Sequence, residues 1–266
     1  MPAVALTIAG SDPSGGAGLQ ADLKTFHQFG VYGEAIVTLV TVQNTRGVAE
    51  VETLSGDLVA RQIQAVLEDI PPAAAKTGAL GSAAVIEAVA EVAQTFRFPL
   101  VVDPVMISKH GARLLAVEAE QTLKRRLLPY AFLLTPNIPE AEAFTGVRIR
   151  GEGDMRAAAE RLRELGCRNV LVKGGHASGA PNDLLVGDAV ARLFPGTRIE
   201  TAHTHGTGCT YSAAIAAGLA LGFPLQEAIE RAKEFIQAAI EHAPGLGGGC
   251  GPVDHFATCP SSCGTR

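Results

Sequence analysis

The chain has 266 residues, 47% of them hydrophobic and 18% charged, with no Trp. That supplies apolar material for one large domain or two small ones and excludes disorder; the 30 Gly and 15 Pro follow no triplet period, which excludes a collagen-like repeat. A formal charge of -5, with 22 Lys and Arg scattered along the chain, offers no basic stripe for nucleic acid, so a small-molecule ligand is expected.

The segment from Met1 to Asp12 lacks a basic region, and its apolar run stops too early for a signal peptide. The longest apolar stretch, Ser212 to Pro224, falls short of the ~18 residues that span a bilayer. A cytoplasmic protein without a membrane segment is expected. Apolar runs at Val4 to Ala9, Ala35 to Val42, Ala73 to Lys76, Leu100 to Val102, Phe132 to Leu134 and Val170 to Val172 are continuous rather than alternating, which marks strands buried on both faces. Between them, Leu19 to Phe29, Leu58 to Leu67, Ala83 to Phe96, Glu118 to Leu127 and Met155 to Leu165 read as helices. The alternation predicts an α/β fold with a central, mainly parallel β-sheet flanked by helices on both faces. Beyond Lys173 the pattern shortens to Asp183 to Gly187 and Ala189 to Phe194, an antiparallel edge, and helices from Gly208 and Leu225 close the chain. With no linker and no internal repeat, residues 1–256 read as a single domain and 257–266 as a disordered tail. The odd cysteine count, with Cys250, Cys259 and Cys263 crowded near the tail, argues against a disulfide framework, and a tail metal site lacks a second ligand pair.

In such a sheet ligands collect beyond the carboxyl ends of the strands. The residues there are Gly10-Ser11-Asp12, Gln43-Asn44-Thr45, Lys76-Thr77-Gly78, Asp103-Pro104, Thr135-Pro136-Asn137 and Lys173-Gly174-Gly175-His176. The strongest local feature is Thr204-His205-Gly206-Thr207-Gly208-Cys209, glycines opening a helix, whose first amides converge on one spot suited to an anion. Cys209 falls in the first turn, where the helix dipole favours thiolate; the other reading is a small buried hydrophobe. Gly10 to Gly18 forms a second Gly-rich loop. Asp22, just after it, could bond a ring amine or be a solvated first-turn acid. Gln43 offers a donor and an acceptor to a heteroaromatic edge, or to nearby backbone. Asp103, Asn137 and Glu140 suit hydrated Mg²⁺ and nucleotide phosphates, and Asn137 with Glu140 also reads as a helix cap. Lys173 suits phosphate charge or plain solvation. His176, His203 and His205 lack metal spacing and read as loop residues.

Together these segments resemble the ribokinase-like superfamily, specifically its hydroxymethylpyrimidine/phosphomethylpyrimidine kinase branch. The resemblance rests on TIAGSDPSGGAGLQADLKTF from Thr7, VQNT from Val42, VVDPVM from Val101, LTPNIPEA from Leu134, VKGGH from Val172 and THGTGC from Thr204, with Gly251-Pro-Val-Asp-His-Phe256 also similar. It implies a ribokinase-like fold without a large lid, ATP and Mg²⁺ as cofactors, a homodimer, and phosphorylation of 4-amino-5-hydroxymethyl-2-methylpyrimidine to the monophosphate and then the diphosphate. By the same resemblance, Gly206, Thr207, Gly208 and Cys209 form the anion hole, with Cys209 as candidate base, and Lys173 neutralises phosphate. Asp22, Gln43, Gly10, Val105 and Ala79 face the pyrimidine. Asp103, Asn137, Glu140 and Thr204 serve the nucleotide, with Asp103 and Glu140 toward Mg²⁺, directly or through water. One departure is Lys76-Thr77-Gly78-Ala79, where this branch commonly has Met in place of Ala79, implying a roomier pocket. A pyridoxine, pyridoxal or pyridoxamine kinase is therefore the neighbouring alternative, and a non-catalytic pyrimidine-phosphate sensor the alternative of another class.

Overall fold

A computed structural model describes residues 1–109, 111–177, 179–188 and 190–258. Its centre is a sheet in the order β3-β2-β1-β4-β5-β6-β7-β8-β9. The strands are β1 (Val4–Ser11), β2 (Tyr32–Asn44), β3 (Gly47–Thr53), β4 (Ala74–Thr77), β5 (Leu100–Val102), β6 (Leu133–Leu134), β7 (Asn169–Val172), β8 (Asp183–Gly187) and β9 (Val190–Phe194). From β2 through β1 and β4 to β7 every pairing is parallel. The pairs β2–β3, β7–β8 and β8–β9 are antiparallel. Strand β1 lies between β2 and β4, so the chain winds first to one side and then to the other, and the gap beyond the carboxyl ends of β1 and β4 is the topological switch point.

The helices are α1 (Gly18–Gln28), α2 (Gly56–Asp69), α3 (Ala83–Ala93), α4 (Val117–Thr122), α5 (Ile138–Thr145), α6 (Glu152–Arg163), α7 (Thr207–Ala220) and α8 (Leu225–Glu241). Buried side chains form two clusters, one on each face of the sheet. Val59, Ile63, Val85, Ile86, Ala119, Ala158 and Leu162 pack with Leu6, Ile8, Val102 and Val170 on the α2–α6 side. Phe26, Ala213, Ala214, Ala217, Ile229 and Phe235 pack with Ala5, Val101, Leu133 and Leu171 on the α1, α7, α8 side. Successive strand residues thus bury opposite faces, as the continuous apolar runs require. Helix α7 is nearly all small residues, and this lets it lie close to its neighbours: a Cβ on Gly218 would stand 2.9 Å from Ala228 Cβ of α8. Ser55 and Ser82 cap α2 and α3 through the amides of Leu58 and Val85.

Two features depart from the sequence reading, strand β3 and the end of the packed chain, while the helix cap read at Asn137 and Glu140 is present. Strand β3 was not anticipated; it pairs with the far half of β2, which leaves the core and exposes Val40 and Val42. Helix α5 begins at Asn137 through a full capping box, with Asn137 Oδ1 accepting from Glu140 N and Glu140 Oε2 from Asn137 N, both at 2.9 Å. The packed chain also reaches past residue 256, since Ala257 is buried and its carbonyl accepts from Gln28 Nε2 at 2.9 Å. Ala189, Cys259 and Cys263 lie outside the described residues; Cys167, Cys209 and Cys250 are unbridged.

Candidate active site

A cavity of about 800 Å³ occupies the switch point. Of the residues singled out from sequence, Gly10, Gln43, Ala79, Asp103, Val105, Asn137, Glu140, Lys173, Thr204, Gly206, Thr207, Gly208 and Cys209 all line it. They come from seven separate stretches of chain, brought together because each ends or follows a strand, or leads into a helix, at the same edge of the sheet.

One wall is the start of α7. Gly206 precedes the helix at φ +80°, and a Cβ there would stand 1.7 Å from Gly16 O, so only glycine fits the turn. Its N-cap is a glycine with no side chain to cap the helix, and the Thr207 amide donates to Thr204 O at 3.3 Å, which leaves the amides of Gly208 and Cys209 as those offered at the cavity wall. A Cβ on Gly208 would lie 3.5 Å from Lys173 Nζ and 3.7 Å from Asp103 Oδ2, so the amide turn faces the Lys173–Asp103 ion pair. Lys173 Nζ meets Asp103 Oδ1 at 2.9 Å, and Asp103 is further held by Thr135 and Ser212 hydroxyls at 3.3 Å each. Burial alone would lower the Lys173 pKa; Asp103 and Glu140 outweigh it, raise the pKa and keep the ammonium charged. The amide turn and the ammonium converge as an anion site.

Glu140 is pushed up to about 7, by burial first and by Asp103 in addition, against the pull of Lys173. Two crowded carboxyl groups beside Asn137 form an oxygen donor set suited to a hard, hydrated cation. Among the described residues no three His, Cys, Asp or Glu side chains gather to hold a metal by themselves. A divalent ion here would therefore depend on phosphate and water for most of its coordination.

Two expectations are corrected. Asp22 does not reach the cavity: it is wholly buried, its carboxylate held by Lys76 Nζ at 2.9 and 3.0 Å and by Thr7 Oγ1 at 2.6 Å. It is neither a ring contact nor a solvated acid. Burial alone would lower the Lys76 pKa, but Asp22, with Cys209 and Asp103 nearby, outweighs this and raises it. The second correction concerns Cys209. Burial pushes its thiol up to about 11, and the neighbouring Lys76 and the Gly18 amide do not offset that, so the resting group is a thiol rather than a thiolate.

The cavity also holds residues the sequence reading passed over. His205, read as a loop residue, is 2% exposed and lies 2.8 Å from Asp12 Oδ2. Asp183 accepts from Gly174 N at 2.8 Å, Tyr211 Oη at 3.0 Å and Lys233 Nζ at 2.6 Å, and so ties the Lys173 loop to α7 and α8. At the far end Ile236, Gln237 and Ile240 of α8 face Arg198, whose guanidinium donates to the carbonyls of Gly175, Ala177 and Gly179. The only advance signal was position: Asp12 closes a strand, and His205 sits inside the glycine motif.

Residues 12–254 match the phosphomethylpyrimidine kinase family. The chain is similar to the thiamine biosynthesis bifunctional protein of Geobacter sulfurreducens, 52% identical over 253 residues; the match covers 94% of this chain and about half, 52%, of that longer protein. It is similar to the hydroxymethylpyrimidine/phosphomethylpyrimidine kinase of Haemophilus influenzae, 47% identical over 258 residues, covering 95% and 96% of the two chains. Among solved structures, the ADP complex of Bacillus subtilis pyridoxal kinase aligns with a TM-score of 0.88 at 37% identity, covering 97% of this chain and 98% of that one. The ordered motifs, the ribokinase-like sheet and the anion site at the start of α7 agree with these likenesses, and the chain belongs to the phosphomethylpyrimidine kinase family.

Proposed function

We propose that this chain transfers the terminal phosphoryl group of ATP to the hydroxymethyl oxygen of 4-amino-5-hydroxymethyl-2-methylpyrimidine, and then a second phosphoryl group to the resulting monophosphate, in thiamine biosynthesis. The observation that carries the reading is the convergence of the open start of α7 with the Lys173 ammonium, in a cavity whose lining also includes Gln43. Phosphoryl transfer depends chiefly on in-line placement and on stabilising charge on the transferred group. The amides of Gly208 and Cys209 with Lys173 supply that stabilisation. Gln43, Gly10, Val105 and Ala79 form the heterocycle pocket. Asn137, Glu140, Asp103 and Thr204 belong to the nucleotide side; Asp103 and Glu140, directly or through water, would hold Mg²⁺ together with phosphate, and the ion would supply neutralisation of phosphate charge. Cys209 lies at the wall where the hydroxyl arrives. As a neutral thiol it does not take up the substrate proton, so the oxygen keeps that proton until its new bond to phosphorus has made it acidic and then passes it to an oxygen of the transferred phosphoryl group, while the bond from phosphorus to ADP breaks and ADP leaves; the thiol contributes contact and polarity. A homodimer is part of the same reading.

A second reading, a pyridoxal kinase, is favoured by the likeness to the Bacillus subtilis enzyme and by the small side chain of Ala79 in the pocket. Purified protein with ATP and Mg²⁺, offered the aminopyrimidine, its monophosphate and pyridoxal in parallel, separates the two. Mono- and diphosphorylated pyrimidine, identified by mass, is the expected result. Phosphorylated pyridoxal alone would replace the first reading by the second, and binding without turnover would make the protein a sensor.

A further inference from the structure

At the pocket wall His205 Nε2 lies 2.8 Å from Asp12 Oδ2 and 3.2 Å from Gln43 Nε2. Asp12 acts only as an acceptor. It also receives the Ser14 amide at 2.9 Å, the Ser14 hydroxyl at 2.7 Å and the Ala17 amide at 2.9 Å. Burial would raise its pKa, but the bonds from His205 and Ser14 outweigh burial and lower it. A carboxylate has no hydrogen to give, so the proton between the two groups sits on His205 Nε2.

With that proton in place, Nε2 has no lone pair for the Gln43 amide nitrogen, and two donors face each other. A second conflict stands on the other side of the same amide. Thr41 Oγ1 lies 3.0 Å from Ser11 O and 3.3 Å from Gln43 Oε1, yet one hydroxyl hydrogen cannot serve both acceptors at full strength. Turning the Gln43 amide by half a turn exchanges oxygen and nitrogen with no other movement: the donor–donor contact becomes a His205 N–H facing two acceptors, and the Thr41 hydroxyl is left with a single acceptor. Oε1 then shares the His205 N–H with Asp12, Nε2 donates to Thr41 Oγ1, and the Thr41 hydrogen goes wholly to Ser11 O.

We infer that Asp12 and His205 set the direction of the Gln43 amide, and that through it they make the cavity select a heterocycle carrying a ring nitrogen beside an exocyclic amino group. In the turned orientation Gln43 keeps one N–H and one oxygen lone pair for a ligand. An aminopyrimidine edge answers both, its ring nitrogen accepting and its amino group donating. A pyridoxal-type ring carries a carbonyl next to its reactive arm and a hydroxyl one position further along the same edge; with the hydroxyl ionised both are acceptors, and the Gln43 oxygen is left opposite another oxygen. His205 is thus a positioning residue that acts through Gln43. The selection half of this inference rests on the pyrimidine reading above; the orientation half does not.

Two measurements test it on the full chain. In the substrate-free protein the Gln43 side-chain amide protons, assigned by their loss in Gln43→Glu, should show nuclear Overhauser contacts to the Thr41 methyl and none to the His205 ring; the reverse pattern overturns the inference whatever the substrate proves to be. In His205→Phe, calorimetric Kd for the aminopyrimidine should rise about tenfold while Kd for pyridoxal and the kcat of bound pyrimidine stay within about twofold, the loss of one oriented hydrogen bond. His205→Gln, which can still donate to Asp12, should recover most of the affinity. An equal loss for both ligands, or a fall in kcat alone, would reduce His205 to a structural part. If wild-type protein fails to phosphorylate the pyrimidine, the functional reading falls, and the contacts of the Gln43 amide still decide the orientation.

Discussion

Two of the lysine–aspartate pairs at the carboxyl end of the sheet have been put to different uses. Lys76 and Asp22 are both 0% exposed in their side chains, sealed between β1, β4 and α1. Lys173 and Asp103 have the same separation, 2.9 Å in each case, but the Lys173 side chain is 12% exposed and looks into the cavity past Gly208. A sealed pair can only hold the structure, because its charge is spent on its partner. A pair open on one side has an ammonium that a ligand's anion can share. Sequence position did not distinguish them, since both lysines directly end or follow a buried strand; access to the cavity did.

The sharpest way to break the comparison is to remove one member of the sealed pair. Lys76→Met should destabilise the protein by about 3–5 kcal/mol, because it leaves Asp22 buried with only Thr7. For a chain of this size that corresponds to a fall in Tm on the order of 10 °C, read by calorimetry or circular dichroism. Joining Asp22→Leu to Lys76→Met should restore most of the loss, since an apolar pair carries no desolvation cost; a double variant as unstable as the single one would mean that the charges themselves are required.

On the open side, Lys173→Met should lower kcat by roughly 10²–10³-fold, with a smaller effect on Tm than Lys76→Met, as expected when one stabilising group for a transferred phosphoryl is lost. An unchanged kcat in steady-state assays would remove Lys173 from the anion site. The smallest effect belongs to Cys209, which lies between the two pairs and is influenced by both Lys76 and Asp103. With its thiol pushed up to about 11, activity should show no thiolate titration across about pH 6 to 9, and Cys209→Ala should keep kcat within about tenfold. A kcat that climbs about tenfold per pH unit over this range, and loses that climb in Cys209→Ala, would restore the cysteine as base.

Much of the sheet was legible because burial on both faces demands unbroken apolar runs, and Val4 to Ala9 or Val170 to Val172 allow little else. Strand β3 was missed for the complementary reason. Gly47–Thr53 alternates Val with exposed Ala and Glu on an edge, a weak signal in a short segment, and it is held by pairing with β2 rather than by a core. Helix α7 was legible through its glycines, although its small residues only acquire meaning against Ala228 of α8. Within the site, glycine loops and strand-end polar residues marked the cavity well. Asp22 misled because its partner lies 54 residues away on strand β4, a distance no local pattern spans. His205 was read as a loop residue because its partner Asp12 is 193 residues distant.

The sequence by itself determined the alternation of strand and helix, the parallel sheet, the glycine turn before α7 and the set of polar residues that collect at one edge. These follow from local periodicity, from the conformations open only to glycine, and from the rule that loops after parallel strands gather on one side. Only the tertiary structure decided which lysine is sealed and which is open, that Asp22 is spent on Lys76, that the Cys209 thiol stays protonated, and that Asp12 reaches His205 and Gln43. Those outcomes depend on desolvation and on contacts between side chains far apart in sequence, quantities that exist only once the chain has closed around them.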